Sequence, residues 1–303
     1  MWSHSVKSIF KTLFFIINHP LNKKRKIKSF IAFIKWQLGA RLLNSQFIFK
    51  WVNDTKFILQ KSEFGMTGNL YCGLMEHIDM LFVLHLLKEN DIFYDVGANV
   101  GSYTILASGV KKCKTICFEP IPSTYDRLLD NIAINRLSKF VDAKNCGVGD
   151  ENKILSFIND RNTTNKVSTN TDYLNTTNVN VIRLDDEYNP KDFSIVKVDV
   201  EGYEDFVLRG GLKFFSNPKV IALIIELNGS GLSFGIKDSD IHKLILSFGF
   251  KPIMYNPFSR RVLPIKNFSN GANTIYVKDI DMIQKRCSEA EKVNIHNVGG
   301  LII

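Results

Sequence analysis

Acidic residues are nearly missing from the opening segment of this 303-residue chain: residues 1–61 hold 12 Lys/Arg and a single acid, Asp54. The remainder carries 27 Lys/Arg against 29 Asp/Glu, so the net charge of +9 belongs to that lead-in. No apolar run approaches the ~20 residues that a helical bilayer span requires. A secretory leader is not expected either, because no small-x-small cleavage site follows the apolar stretch and His19-Pro20 interrupts it. The five cysteines, Cys72, Cys113, Cys117, Cys146 and Cys287, include no C-x-x-C pair. That pattern argues against a zinc site and for a reducing, cytoplasmic compartment. Internal repeats are lacking. So is any motif that reads bases, and without one the basic charge does not point to nucleic acid.

What is present begins with alternation of apolar and basic residues near the N-terminus. Ile9, Phe10 and Leu13–Ile17 precede Lys23-Lys24-Arg25-Lys26, and Phe30, Ile31, Phe33, Ile34 and Trp36 follow. Two amphipathic helices split at Pro20 are predicted. Their apolar faces are expected either to dock on the body of the protein or on a partner subunit, which leaves a homo-oligomer open, or to hold residues 1–40 against an anionic inner membrane face. The division expected is a basic helical extension, 1–61, and a catalytic-looking body, 62–303. With 45% hydrophobic and 23% charged residues, the chain can bury one full core plus an appendage.

Residues 62–73 are rich in glycine and read as a turn, followed by a helix over Leu74–Lys88. From Asp91 strands and helices alternate. Strands are predicted at Phe93–Val96, Thr115–Phe118, Val141–Cys146, Ile195–Val198 and Val220–Leu227. Helices are predicted at Ser102–Gly109, Pro122–Asn135, Glu204–Leu208 and Asp238–Phe248. Ile154–Ile158 and Val179–Leu184 look like strands enclosing an Asn/Thr-rich stretch, 161–178, long enough to cover a site. Pro252–Tyr255 and Thr274–Val277 are the last strands. Such alternation implies an α/β fold with a doubly wound, parallel sheet.

The most informative motif is Asp95-Val96-Gly97-Ala98-Asn99-Val100-Gly101, which directly follows an apolar strand and precedes a helix. Glycines there allow a ligand to approach bare backbone, and the helix start beyond them offers unpaired N–H groups. The turn lacks G-x-G-x-x-G and carries Asp95 and Asn99 instead, which disfavours a dinucleotide. It suits a ligand bearing an ammonium and a carboxylate, as S-adenosylmethionine does. Ligands of open α/β sheets lie beyond the carboxyl ends of the strands. That rule selects Asp95, Glu119, Asp199 and Glu226, each at the end of an apolar strand. Glu119, about 20 residues past the glycine turn, is placed to accept ribose hydroxyls. In Lys197–Glu204, period-2 alternation puts Lys197, Asp199 and Glu201 on one face if the strand persists. Asp199 or Glu201 would then orient or deprotonate an acceptor hydroxyl, with His77 and His242 as competing bases. Asp199, Glu226 and Asn228 form a hard-oxygen set of the kind Mg²⁺ takes, although no metal is expected.

Taken in order, these residues resemble the FkbM-type S-adenosylmethionine-dependent methyltransferases. The resemblance rests on His19-Pro20-Leu21-Asn22, Gly68–Gly73 with Glu76, Asp95–Gly101 with Ser102-Tyr103-Thr104, and Glu119-Pro120. It continues through Lys197–Glu204, Val207–Gly211, Ile225–Asn228, Tyr255–Phe258 with Arg260, and Asn273–Tyr276. It implies a seven-stranded, Rossmann-like sheet ending in an antiparallel hairpin. It also implies a cofactor site of Glu76, Asp95, Gly97, Asn99, Gly101, Tyr103, Thr104 and Glu119. The reaction implied is O-methylation of a glycan or glycolipid sugar. A polyketide or other small-molecule hydroxyl is the alternative acceptor, and a non-catalytic cofactor-binding protein the alternative role. None of the loops carries a readable code for the acceptor.

Overall fold

The computed structural model describes residues 2–42, 46–60, 64–158, 176–269 and 271–303. Its centre is an eight-stranded sheet built from β1 (Ile92–Val96), β2 (Lys114–Phe118), β3 (Val141–Lys144), β4 (Ser194–Val198), β5 (Val220–Leu227), β6 (Lys251–Asn256), β7 (Arg261–Pro264) and β8 (Ala272–Val277). The order across the sheet is β7-β6-β8-β5-β4-β1-β2-β3. Strands β1 to β5 pair in parallel, whereas β8 runs antiparallel to both β5 and β6. The expected seven strands and antiparallel closing pair are therefore there, with one correction. β7 adds an eighth strand, antiparallel to β6 at the edge. Its Arg-Val-Leu-Pro is too short and too exposed to leave an alternating signature.

The inner strands read as continuous apolar runs because both faces are covered. Successive residues alternate between two cores. Phe93, Ile195 and Ile224 face one, with Leu81, Leu106 and Ile132. Tyr94, Val196 and Leu223 face the other, with Phe214, Ile245 and Tyr276. All five cysteines are free and buried, packing as small apolar groups.

Chain order reverses between β1 and β4, and this switch point sits beside the turn that follows β1. Beyond β3 the alternation breaks into a separate three-stranded sheet, in which Thr176–Ile182 pairs with Gly147–Val148 and Lys153–Ile158. Residues 159–175, most of the Asn/Thr-rich stretch, lie outside the described residues, as does the boundary expected at residue 61.

The lead-in folds as α1 (Trp2–Asn18) and α2 (Lys26–Leu42), split by a 3₁₀ turn at Pro20–Asn22. His19 accepts the Leu21 N–H, and Pro20 occupies a first-turn position where its missing N–H costs nothing. A hairpin, Phe47–Lys50 with Lys56–Leu59, follows. Trp51, Phe57 and Leu59 are buried in the same core as Phe93.

One expectation is overturned nearby. The glycine-rich segment is not a turn but the helix α3 (Phe64–Cys72), and α4 starts later than predicted, at His77, running to Leu86. Gly68 lies inside α3 because Met75 crosses it. A Cβ at residue 68 would stand 2.2 Å from the Met75 Sδ. The glycine serves close packing here, not chain reversal. Among the described residues, no helix is long and apolar enough to cross a membrane.

Candidate functional site

Two adjoining clefts open beyond the carboxyl ends of β1, β2 and β4, and Gly97, Asn99 and Asp199 line both. Gly97 is the pivot. Its φ is +82°, and a Cβ there would lie 1.9 Å from the Asp199 carbonyl oxygen. The turn after β1 thus passes directly against the turn after β4, which only glycine permits.

The first cleft is open to solvent and is walled by Phe118, Ile121, Val148, Val181, Val200 and Tyr203. Glu119 stands in this wall, and each carboxylate oxygen takes one main-chain donor: Oε2 from Asn99 N–H (2.9 Å) and Oε1 from Ile121 N–H (3.0 Å). Burial pushes its carboxyl up to about 7, opposed by those two donors. Glu119 therefore ties the Gly97 turn to the end of β2, and its remaining lone pairs face an apolar slot.

The second cleft has Glu76, Asp95, Lys197 and Asp199 in its lining and Met66, Met75 and Met80 beside them. Here the side chains form a connected network. Tyr103 donates its hydroxyl to Glu76 Oε2 (2.7 Å), and Asn273 Nδ2 reaches both Glu76 Oε1 (3.3 Å) and Asp79 Oδ2 (3.0 Å). Lys197 donates to Asp199 Oδ2 (2.6 Å), and its Nζ lies 4.7 Å from the centre of the Tyr103 ring. Burial alone would lower the Lys197 ammonium, but Asp199, Glu76 and Asp95 outweigh it and hold it above its ordinary value. Asp79 moves the opposite way. Burial, and then the neighbouring Glu76, raise it to about 7 against the pull of Asn273 and Lys197.

Several expected residues sit differently from their sequence reading. Asp95 is the next-to-last residue of β1, as expected, but is fully buried and accepts a hydrogen bond from Thr104 Oγ1 (2.6 Å). Burial raises its carboxyl despite Lys197. It pins the first turn after Gly101 to the strand. The shared face of Lys197, Asp199 and Glu201 holds only for the first two, because β4 ends at Val198 and Glu201 takes a left-handed φ of 53°. Glu204 is buried in this bend, its Oε1 accepting the N–H groups of Val200 (3.3 Å) and Gly202 (3.1 Å). His77 opens α4 but lines neither cleft. It stacks edgewise on His19, and burial lowers its imidazole to about 4, with His19 adding to the effect. His242 bonds Tyr276 (2.8 Å) in the lower core.

The oxygen set named for Mg²⁺ is already partly engaged. Asp199 is paired with Lys197, and Asn228 Oδ1 accepts the Ser230 N–H (2.9 Å). Glu226 is raised to about 7 by burial and then by Asp199, Glu201 and Glu204. Among the described residues, no three His, Cys, Asp or Glu side chains gather into a set able to hold a metal ion.

Asp79 was not singled out by the sequence. It is one acid on a helix, and only the fold brings it to Asn273, 194 residues away.

Residues 95–252 match the model of the methyltransferase FkbM domain, just over half of the chain. The hexuronic acid methyltransferase AglP of Haloferax volcanii is 30% identical over 166 residues, covering 54% of this chain and 64% of the relative's own length. Among solved structures, TYW2 of M. jannaschii in complex with AdoMet aligns over 77% of this chain and 84% of its own, at 17% identity and a TM-score of 0.37. The putative methyltransferase SMU.1697c from Streptococcus mutans, in complex with SAH, aligns over 66% and 94%, at 12% identity and a TM-score of 0.38.

Proposed function

The chain belongs to the FkbM methyltransferase family and is an S-adenosylmethionine-dependent methyltransferase, and from that premise we propose that it methylates a hydroxyl of a sugar in a glycan or glycolipid. The observation that carries this reading is the pair of clefts meeting at Gly97, one with apolar walls and the carboxylates Glu119, Asp199 and Glu201, the other with Glu76, Asp95 and Lys197 beside a methionine wall. When bound, S-adenosylmethionine supplies a methyl group on a positively charged sulfur, ready for attack by an oxygen. The donor set suits it. Glu119 in the apolar slot would hold the ribose, and the Glu76–Tyr103–Asp199 side would receive the amino-acid end and the cation. The open backbone turn at Gly97–Asn99 would lie against the junction.

A sugar hydroxyl is a weak nucleophile while protonated, so a group that accepts its proton should stand at the second cleft. Asp199 lines both clefts and is held in place by Lys197, which supports it as that base. Asp79, its carboxyl raised to about 7 by burial, shares the Asn273 amide with Glu76 and would hold Glu76 in position beside Tyr103. The similarity to a hexuronic acid methyltransferase supports an acidic sugar as the acceptor.

Two measurements test the reading. Calorimetry with S-adenosylmethionine should show binding weakened about 10- to 100-fold in Glu119→Ala, the size of losing a hydrogen bond to a charged group. Equal affinity would remove Glu119 from the ribose role. A panel of hexuronate-containing and neutral glycans should yield S-adenosylhomocysteine with the acidic sugars first. Turnover confined to non-sugar alcohols would reject the acceptor class.

A further inference from the structure

The helical lead-in has two apolar faces, and the fold uses only one. Ile16, Phe33, Tyr71 and Cys72 are buried together where α1 and α2 lie on α3. On the opposite side of α2, Ile27, Phe30, Ile31, Ile34 and Leu38 are all exposed. Their spacing of three, four and seven residues makes one continuous stripe along the helix. Phe10 and Phe14, one turn apart on α1, are 67% and 72% exposed, and Ile27 is 77% exposed. Lys24, Lys26, Lys28 and Lys35 are exposed beside this stripe.

We propose that this face of α1 and α2 docks on the surface of an anionic lipid bilayer, lying in the plane of the headgroups. Charge chooses the occupant. An apolar stripe flanked by lysines, in a segment with 12 basic residues and one acid, is complementary to anionic headgroups over an apolar interior. A second copy of the chain would bring the same positive charge to the contact and be repelled by it. Nucleic acid would meet exposed isoleucine and phenylalanine where it needs polar contacts to phosphate.

The docked helices are tied to the site. His19 Nε2 is 3.1 Å from the Met75 carbonyl, and Asn22 donates to the Tyr71 carbonyl at 3.0 Å. Met75 and Glu76 line the polar cleft. A bilayer-bound hairpin would therefore hold that cleft close to the lipid surface. The docking does not depend on the acceptor being a sugar.

The test is flotation of the full chain with vesicles of phosphatidylcholine alone and with added phosphatidylglycerol. Binding to the anionic vesicles should exceed binding to the neutral ones at least about 100-fold and weaken in high salt. Lys24→Gln/Lys26→Gln/Lys28→Gln should lower it about fivefold per lysine removed. Phe14→Gln/Ile27→Gln/Leu38→Gln should lower it about tenfold or more, with S-adenosylmethionine affinity unchanged as the check on folding. Equal partitioning onto both kinds of vesicle overturns the proposal using the wild-type chain alone. So does a dimer in sedimentation that the apolar variant abolishes while vesicles are ignored.

Discussion

Replacing Gly97 by alanine should be severely damaging for a single-methyl change, and the reason can be separated into parts. The φ of +82° at residue 97 belongs to the region that L-residues avoid, which costs alanine about 1–2 kcal/mol. The new Cβ would also stand 1.9 Å from the Asp199 carbonyl oxygen and 2.9 Å from its carbon. Both are backbone, so no rotamer change relieves the contact. The turn after β4 must move, stretching the bond from Asp199 N–H to the Val96 carbonyl (3.0 Å). Overpacking of this kind adds about 1–3 kcal/mol and the weakened hydrogen bond about 1 kcal/mol more, giving about 3–6 kcal/mol in all. Two other glycines isolate the terms. Gly249 has φ +87° with nothing within 4 Å of its would-be Cβ, so Gly249→Ala should show the backbone cost alone. Gly101 has φ +94° and meets only the Leu128 Cδ1 at 2.6 Å, a side chain that can shift, so Gly101→Ala should fall between them. Urea unfolding of the three variants gives the ranking. Gly97→Ala should also lose S-adenosylmethionine binding, since both clefts share that turn. If Gly97→Ala proves no less stable than Gly249→Ala, the close approach of the β1 and β4 turns is wrong.

Lys197→Met removes the cation shared by Asp199, Glu76 and Asp95. Leaving buried acids uncompensated should cost about 3–5 kcal/mol in urea unfolding, and a loss below about 1 kcal/mol would contradict the network. Glu204→Gln tests the buried bend through pH. The Glu204 carboxyl is raised from 4.5 to about 7 by burial, so the folded state resists its ionisation. The wild-type chain should lose stability on this account as pH rises from about 4.5 to about 7 and no further, by at most on the order of 3 kcal/mol. The variant lacks that loss, so the difference between the two melting curves should close or reverse toward high pH; a difference independent of pH would reject the raised carboxyl.

Much of this was readable in the residues because the inner sheet imposes strong local patterns. β5 is apolar from end to end because both its faces are covered, and its bounds, Val220–Leu227, agree with the sequence reading. The Asp95–Gly101 turn and Glu119 likewise stand where strand ends and glycine spacing put them. The α3 helix was misread because Gly68 looks like a breaker, whereas its lack of a side chain answers to Met75, a contact invisible to local pattern. β7 escaped notice because a short edge strand buries only one of its residues, Val262. The shared face of Lys197, Asp199 and Glu201 was expected only if the strand ran past Val198; it stops there, as its predicted bounds had it, and Glu201 turns away with a left-handed φ.

Sequence alone determined the α/β sheet, the glycine turn that opens the site, and the excess of positive charge in residues 1–61, because each depends on neighbours along the chain. Tertiary structure decided what the polar groups do. The Glu76–Tyr103–Asn273–Asp79 network joins residues up to 197 positions apart, and the Lys197–Asp199 pair gains its setting only between β1 and β5. Burial raises the Asp79 carboxyl and the Tyr103 hydroxyl, and burial is a property of the packed fold.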